Sequence, residues 1–267
     1  MDIGEGFPRL LREWRHKRRL SQLDLALTSG VSQRHISFLE SARANPSRSM
    51  ILQLSEALEV PLRTRNHWLT AAGYAPLFKS RDLDDPQMAQ VMGAVRMMLK
   101  AHEPYPAIAL DRAWNVLLSN RPFDVLSTLL GTDIWERVGG GTRNLMRLFF
   151  HPQGIRPFVT NWSAVGPLLW QRAEREAQDL GGAEMQAVLD GLAPFQDPEV
   201  LWSASETALL PVVPFTIAMG DQRISLFAVV ATFGTAQDVT TDELRIETLF
   251  PADAETETLF RALAEDS

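Results

Sequence analysis

The stretch from Leu20 to Glu40, LSQLDLALTSGVSQRHISFLE, constrains the fold of this chain more than any other. Ser21 fits a helix N-cap, and Asp24 three residues later completes a capping-box pattern. Gly30 permits a sharp exit from this helix, because glycine adopts positive φ angles without a steric penalty. The sequence therefore predicts a short helix that ends in a tight turn.

A second short helix is predicted directly after the turn. Ser32 fits its N-cap, and Ile36 and Leu39 are spaced so that they bury one face. The other face is left to Gln33, Arg34, Ser37 and Phe38. This is the layout of a helix-turn-helix, in which the second helix enters the major groove of DNA near its N-terminus. An ordinary helical hairpin is the alternative, since capped amphipathic helices occur in many folds.

The flanking sequence argues against an ordinary hairpin. Residues 7–19 carry apolar side chains at helical spacing and end in a basic cluster. A fourth helix is predicted after Ser47, and a fifth begins near Pro61 and stops at Gly73. Five short helices in this order resemble the DNA-binding domain of the XRE family, the phage-repressor type. The resemblance implies binding to double-stranded DNA.

Ten residues are the candidates for contacts with DNA. Arg34 suits a bidentate contact with guanine and Gln33 one with adenine, each worth about 1–3 kcal/mol of discrimination. Gln22, at the start of the first helix of the pair, suits a phosphate contact. Phe38 either lies against a thymine methyl group or packs on the next helix. The full set is Gln22, Ser32, Gln33, Arg34, Ser37, Phe38, Arg43, Asn45, Ser47 and Arg48.

Charge divides the chain into two parts. Residues 1–80 hold 12 Lys and Arg against 7 Asp and Glu, whereas residues 81–267 hold 14 against 26. A basic head on an acidic body confines the attraction for phosphates to the first part. A length of 267 residues suits two domains. We therefore expect a DNA-binding domain over 1–80, a linker helix over 81–103 and a second domain over 104–267.

Composition and missing motifs narrow the function. The chain has no cysteine, which excludes disulfide, zinc-thiolate and thiol-nucleophile chemistry. The sequence shows no HExxH, no GxSxG and no glycine-rich dinucleotide loop, so we expect no catalytic residue, no metal and no cofactor. No signal peptide is recognisable, and the longest apolar run, 208–219, is too short for a bilayer. We expect a cytoplasmic protein without membrane contact.

The expected linker helix carries a narrow apolar stripe. Asp85 can cap a helix whose first turn holds Pro86. The stripe consists of Met88, Met92, Val95 and Leu99, which alternate spacings of four and three. Such a stripe is typical of a helix that packs on its own domain, and it is also compatible with a dimer contact.

A change of period near Tyr105 marks the start of strands. Residues 107–118 alternate well enough for two short strands around a turn near Asp111. Three further runs are rich in Val, Ile, Phe and Thr and are separated by turn residues, which favours an antiparallel sheet. These runs are 208–219, 224–233 and 244–250.

Helices are predicted between the two groups of strands. One follows Asn120 and closes at Gly131. Residues 144–192 are largely helical, with breaks at 151–157 and 181–182. Two strands, several helices and three strands are the order of a PAS-like domain. The predicted fold class is α+β: an all-α five-helix domain followed by a PAS-like antiparallel sheet with helices.

Five strings extend the resemblance over nearly the whole chain. The chain resembles the MmyB-like group of XRE regulators in SQRHISFLESARANPSRSM, VPLRTRNHWLTAAGYAP, YPAIALDRAWNVLLSN, FFHPQGIRPFVTNW and FGTAQDVTTDELRIETLFPAD. The resemblance implies a transcription regulator whose PAS-like domain senses a small apolar, fatty-acyl ligand. We expect it to bind a near-palindromic operator as a homodimer, with the two reading helices about 34 Å apart.

Eight residues are the candidates for contacts with such a ligand. Trp114, Phe215 and Phe227 are predicted on strands, where core packing is the alternative for each. The polar or amphipathic candidates could fix a head group, and Arg or His would suit a carboxylate. These candidates are Asn115, His151, Arg156, Asn161 and Trp162. HPQG and NW are alternatively structural turn and capping elements.

Two other functions stay open for the second domain. It is a dimerisation or protein-interaction module without a ligand if its core is filled. It is an enzyme fused to a DNA-binding domain if a catalytic site exists that the sequence does not reveal.

Overall fold

The computed structural model describes residues 6–179, 183–196 and 211–265. The chain forms two compact units. Residues 1–81 and 235–242 belong to the first unit, and residues 82–234 and 243–267 belong to the second. The predicted break at 181–182 and the beginning of the predicted strand at 208–210 lie outside the described residues.

The first unit contains the five predicted helices. They are α1 (Phe7–Lys17), α2 (Gln22–Ser29), α3 (Gln33–Glu40), α4 (Arg48–Ala57) and α5 (Leu62–Ala71). One apolar core joins them, and Leu11, Leu25, Ile36, Ile51 and Trp68 are fully buried in it. Burial of such side chains contributes about 1.5–3 kcal/mol each, which stabilises helices that would be too short to form alone.

The turn between α2 and α3 has the predicted geometry. The Ser21 hydroxyl accepts a hydrogen bond from the Asp24 backbone N–H, and the Asp24 carboxylate accepts one from the Ser21 N–H. Gly30 ends α2 with a φ of 71°, a left-handed conformation that favours glycine. Ser32 caps α3 by accepting from the His35 N–H. The capping box and the glycine exit are therefore confirmed.

The second unit contains an antiparallel sheet. Its strands are β1 (Ala107–Leu110), β2 (Val116–Ser119), β3 (Phe215–Met219), β4 (Gln222–Thr232) and β5 (Arg245–Pro251). Their order across the sheet is β2-β1-β5-β4-β3, so the last strand pairs with the first. The prediction of two strands followed by three more is confirmed, and with it the α+β fold class with a PAS-like second unit.

Helices precede and connect the strands along the chain, and one helix follows the last strand. The helices after α5 are α6 (Ala89–Ala101), α7 (Arg121–Leu129), α8 (Ile134–Arg137), α9 (Leu145–Phe150), α10 (Trp162–Asp179), α11 (Ala183–Leu192), α12 (Val239–Glu243) and α13 (Ala254–Glu265). Asn120 caps α7 as expected from the sequence. The break at 151–157 falls between α9 and α10 and overlaps a short 3₁₀ turn at Arg156–Phe158.

Helix α6 packs on one face of the sheet. Val95 and Leu99 lie in a small core with Ala107, Ala109 and Ile246. Val95 and Leu99 of the apolar stripe thus pack on the domain to which α6 belongs. This is the first of the two interpretations of the stripe given above. The opposite face of the sheet is covered by helices that include α7, α9 and α10, which contribute to the main core of the second unit.

Residues 235–242 return the chain to the first unit, which the sequence did not reveal. The Asp238 carboxylate lies 2.6 Å from the Arg81 guanidinium. The Val239 backbone N–H donates to the Lys79 carbonyl at 2.8 Å. Asp242 accepts from the Leu62 N–H at 3.0 Å and so supplies the cap for α5, whose N-cap residue Pro61 has no side-chain cap.

Candidate functional site

The outer surface of α3 presents the side chains predicted to read DNA. Gln33 and Arg34 are exposed on its first turn, while Ser37 and Phe38 are half-buried one turn later. The Arg34 guanidinium lies 5.3 Å from the centroid of the Phe38 ring, a cation–π arrangement. Phe38 therefore contacts a reading side chain of its own helix. Ser32 is exposed and its hydroxyl caps the helix.

A buried ion pair holds α3 against α1 and α2. Arg15 donates two hydrogen bonds to the Glu40 carboxylate, at 2.6 and 2.9 Å. The Gln22 amide donates to the same carboxylate at 2.9 Å, so in this structure Gln22 connects α2 to α3. Burial by itself raises the pKa of Glu40, but the hydrogen bonds from Arg15 and Gln22 outweigh it and hold that pKa below its usual value.

The remaining predicted DNA contacts lie on the loop after α3 and at the start of α4. Arg43, Asn45 and Arg48 are exposed there. The Ser47 hydroxyl is engaged as the cap of α4, accepting from the Met50 N–H. All ten predicted residues thus lie on α2, α3 or the segment leading into α4. The side chains of three of them, Gln22, Ser32 and Ser47, already have hydrogen-bond partners within the unit.

An apolar cavity lies between the sheet and the helices of the second unit. The volume within which the centre of a water molecule fits is about 80 Å³. The total space between atoms, including the open mouth of the cavity, is about 660 Å³. Its strand-borne lining consists of Ile108, Phe215, Ile217, Ala228, Glu247 and Leu249. The other lining side chains are Trp114, Phe123, Leu126, Ser127, Leu130, Leu145, Leu148, Phe149, Ile155, Leu169 and Arg172. A mostly apolar lining with a few polar groups is typical of small-molecule sites.

Trp114 lies in the turn between β1 and β2, not on a strand as predicted. Its φ is 66°, a left-handed conformation that costs a non-glycine residue about 1–2 kcal/mol. The Asp111 carboxylate closes the turn by accepting from the backbone N–H groups of Ala113 and Asn115. The ring is fully buried, and its Nε1 donates to Glu176 at 2.6 Å. This turn directs Trp114 into the cavity wall.

Two arginines and two glutamates form an ionic network behind Trp114. Arg172 donates to Glu176 at 2.9 Å and to Glu247 at 2.5 Å. Arg245 pairs with Glu176. The Arg172 guanidinium also lies 4.5 Å from the Trp114 ring centroid. Burial alone would raise the pKa of Glu176, but the nearby charges of Arg245 and Arg172 hold it below its usual value.

Five predicted ligand residues form structural contacts away from the cavity lining. Asn115 donates to Asp111 within the β1–β2 turn, and Asn161 donates to the Pro214 carbonyl and accepts from the Thr216 N–H. His151 accepts from the Gln153 N–H.

Two of these five surround the start of α10. The Arg156 guanidinium lies 5.2 Å from the centroid of the Trp162 ring and donates to the Phe195 carbonyl. Trp162 packs edge-on against Phe150. The His151–Gln153 hydrogen bond agrees with the alternative that HPQG is a turn element. In NW, Asn161 instead bonds to the backbone of Pro214 and Thr216.

Phe227 lies on the other face of the sheet. Its neighbour Ala228 lines the cavity, and successive residues of a strand point to opposite faces. Phe227 instead stacks on Phe250, with ring centroids 5.7 Å apart. Of the eight predicted ligand residues, Trp114 and Phe215 are therefore the two that line the cavity.

Sequence reasoning missed the charged members of the lining, Arg172 and Glu247. Arg172 has a local signal, because Glu176 lies four residues later on the same helix face. Glu247 has only the signal of a charge inside an apolar strand. Their pairing could not be read from the chain, since 75 residues separate them.

The second unit decides the family. A family model described as the MmyB-like transcription regulator ligand binding domain matches residues 91–263. The chain belongs to this family. A second model, described as a helix-turn-helix, matches residues 11–64 of this MmyB-like regulator and covers α2 and α3. The chain is thus a helix-turn-helix DNA-binding transcription regulator with an MmyB-like ligand-binding domain.

Other comparisons add little to the family assignment. Among curated proteins none matches this MmyB-like regulator. A solved structure described as an RNA-binding light-oxygen-voltage receptor is 12% identical, with a TM-score of 0.26. The alignment covers 96% of this chain and 62% of that one, and a likeness this low carries no argument. Within the described residues, every helix is too short or too polar to cross a membrane.

Proposed function

We propose that this MmyB-like regulator acts in the cytoplasm as a homodimer whose affinity for a near-palindromic operator responds to a small apolar, fatty-acyl ligand. The observation that carries the proposal is the apolar cavity in the second unit of a chain whose first unit exposes a reading helix. It supports a sensor over a ligand-free dimerisation module, because the core of such a module would be filled.

The DNA-reading part of the proposal is supported by the exposed face of α3. Gln33 and Arg34 are on its first turn, where a helix-turn-helix protein contacts base edges. Arg43, Asn45 and Arg48 are exposed on the following segment, where they suit contacts with phosphates. One such helix reads only a short half-site, so we propose that two copies bind two half-sites about 34 Å apart.

The route from ligand to DNA is supported by chain connectivity. β4 carries Ala228 and β5 carries Glu247 and Leu249, all of which line the cavity. Between these two strands the chain visits the first unit, through residues 235–242. A ligand that favours one arrangement of β4 and β5 would therefore act on a segment that caps α5. Coupling requires such a difference in affinity between two states.

The first test identifies the ligand. The full chain is purified from its expression host and extracted with organic solvent, and the extract is examined by mass spectrometry. A stoichiometric compound with an acyl chain is expected. A clean extract from a chain that also fails to bind added acyl compounds would favour the ligand-free module.

The second test identifies the operator. Random duplexes are selected on the full chain, and the selected sites are expected to contain two related half-sites. Selected sites without an internal repeat, bound by a monomer in analytical ultracentrifugation, would contradict the homodimer.

A further inference from the structure

Among the described residues, the charged side chains at the cavity wall belong to a network with no net charge. Arg172 and Glu247 line the cavity, and Glu176 and Arg245 complete the network behind them. Two guanidinium groups therefore meet two carboxylates. Ser127, the other polar side chain in the described lining, donates its hydroxyl hydrogen bond to the Phe123 carbonyl.

The network also leaves little cationic capacity for a ligand. Arg172 donates to both glutamates, and both Arg245 and Trp114 contact Glu176. The Nε of Arg245 is buried without a partner among the described residues, but Arg245 is not a member of the lining. Each positive charge at the wall is thus already opposed by a carboxylate.

A charged ligand head group would disturb this balance. A carboxylate in the cavity would add a third negative charge to two positive ones, and an ammonium group would add a third positive charge. An unpaired charge in an apolar interior is strongly disfavoured, so the group would lose its charge or bind weakly. An uncharged hydroxyl, ester or amide avoids this cost and can still hydrogen-bond to Arg172 or Glu247.

We infer that the cavity selects an acyl-chain ligand with an uncharged polar head group, anchored at the Arg172–Glu247 pair, over a fatty acid carboxylate. The inference rests on the proposed ligand-sensing function and narrows it. It replaces the earlier expectation that Arg or His would hold a carboxylate, because the predicted Arg156 and His151 lie outside the lining.

The test compares three C8 ligands that differ in head-group charge. The affinities of 1-octanol, octanoate and octylamine for the full chain are measured at pH 7 by isothermal titration calorimetry. Octanol is expected to bind at least about tenfold more tightly than either ion. The ratio to octanoate is limited by the small fraction of octanoate that is protonated, and therefore neutral, at pH 7.

A charge-changing variant reverses the preference. Glu247→Gln removes one negative charge from the wall and keeps a hydrogen-bond acceptor, so octanoate is expected to gain at least about tenfold relative to octanol. Glu255→Gln makes the same substitution on the exposed surface of α13 and is expected to leave the ratio unchanged. If Glu247→Gln fails to fold, the affinities of the wild-type chain for octanol and octanoate still test the inference.

The outcomes separate the two levels of the proposal. A wild-type chain that prefers octanoate or octylamine overturns the inference and leaves the sensing function in place. Binding of none of the three compounds overturns the sensing function, and the inference with it.

Discussion

In the first unit the buried carboxylate of Glu40 is surrounded by helices, whereas in the second unit the buried carboxylate of Glu247 forms part of a cavity wall. Arg15 binds Glu40 through two nitrogens, and Gln22 adds a third hydrogen bond. Glu247 shares Arg172 with Glu176. The same kind of ion pair thus fixes helix positions in one unit and forms part of a cavity wall in the other.

The two units also differ in where their candidate functional residues lie. The first unit buries the Arg15–Glu40 ion pair and presents the side chains predicted to read DNA outside, on α3. The second unit encloses its candidate site within its core, so residues that stabilise the unit are also the ones proposed to select the ligand. Substitutions should therefore separate stability from function in the first unit more readily than in the second.

The largest expected effect comes from removing one partner of the Glu40 pair. Glu40→Gln leaves the buried Arg15 without a counter-charge, which is expected to lower the free energy of unfolding of the first unit by about 3–5 kcal/mol. Urea denaturation followed by circular dichroism measures this loss. Glu13→Gln, in an exposed pair with Arg9, is the matched control and is expected to cost less than about 1 kcal/mol. Equal losses of unfolding free energy in the two variants would show that the buried Glu40 pair stabilises the unit no more than an exposed pair does.

Next in size is the effect of Arg34→Ala on base discrimination. We expect it to relax the preference at one position per half-site by about 1–3 kcal/mol, because a bidentate base contact is lost. The stability of the unit should be unchanged, since Arg34 is exposed. Arg43→Ala is the control for a phosphate contact and should weaken binding uniformly across sequences, as measured by competition with randomised duplexes. Uniform weakening by Arg34→Ala would assign that residue to phosphate.

A smaller effect is expected for Asp242→Ala, which removes the cap that residues 235–242 supply to α5. Loss of a cap costs about 1 kcal/mol. Ligand binding should be retained, because Asp242 is not in the cavity lining, while the response of operator binding to the ligand should decrease. Calorimetry and fluorescence anisotropy on the same preparation measure the two properties. An unchanged response would show that coupling does not pass through this segment.

The smallest expected effect is the loss of stability of the first unit at acid pH. The pKa of Glu40 is lowered in the folded state, so its contribution to stability is complete above the unfolded-state pKa of about 4.3 and is lost as pH falls through the lower folded-state pKa. The first unit should therefore become less stable with acid below about pH 4.3. Glu40→Gln should remove this part of the pH dependence. If the unfolding free energy of Glu40→Gln depended on pH as that of the wild type does, the assignment of this dependence to Glu40 would be contradicted.

Local signals were sufficient to predict much of the fold. The capping box at Ser21 and Asp24, the exit at Gly30 and the alternation of the strands each involve residues close in sequence. A turn was predicted near Asp111, but Trp114 was placed on the following strand. The turn extends over Trp114, because the Asp111 carboxylate accepts from the backbone N–H groups of Ala113 and Asn115. Residues 235–242 were assigned to the second domain, because contacts with Leu62 and Lys79 have no signature along the chain.

The candidate site was less predictable for the same reason. Trp114 and Phe215 were found as large apolar residues next to strands. The Arg172–Glu247 pair was missed, since its members come from α10 and β5 and meet only in the folded unit. Conversely, Asn161 and His151 were selected for their polarity. The Asn161 side chain instead bonds to the backbone at Pro214 and Thr216, and His151 supports a local turn.

We expect ligand binding in the cavity to change the affinity of the chain for its operator. Fluorescence anisotropy with a selected operator duplex, in the absence and presence of a saturating C8 ligand, tests it most directly. Leu148→Phe, which narrows the cavity, and Leu168→Phe, on the exposed side of α10, are the matched variants.

We expect a change in operator affinity of about 5- to 150-fold for the wild type and Leu168→Phe, and none for Leu148→Phe. Equal operator affinity with and without ligand, in a wild-type chain that calorimetry shows to be saturated, would contradict it.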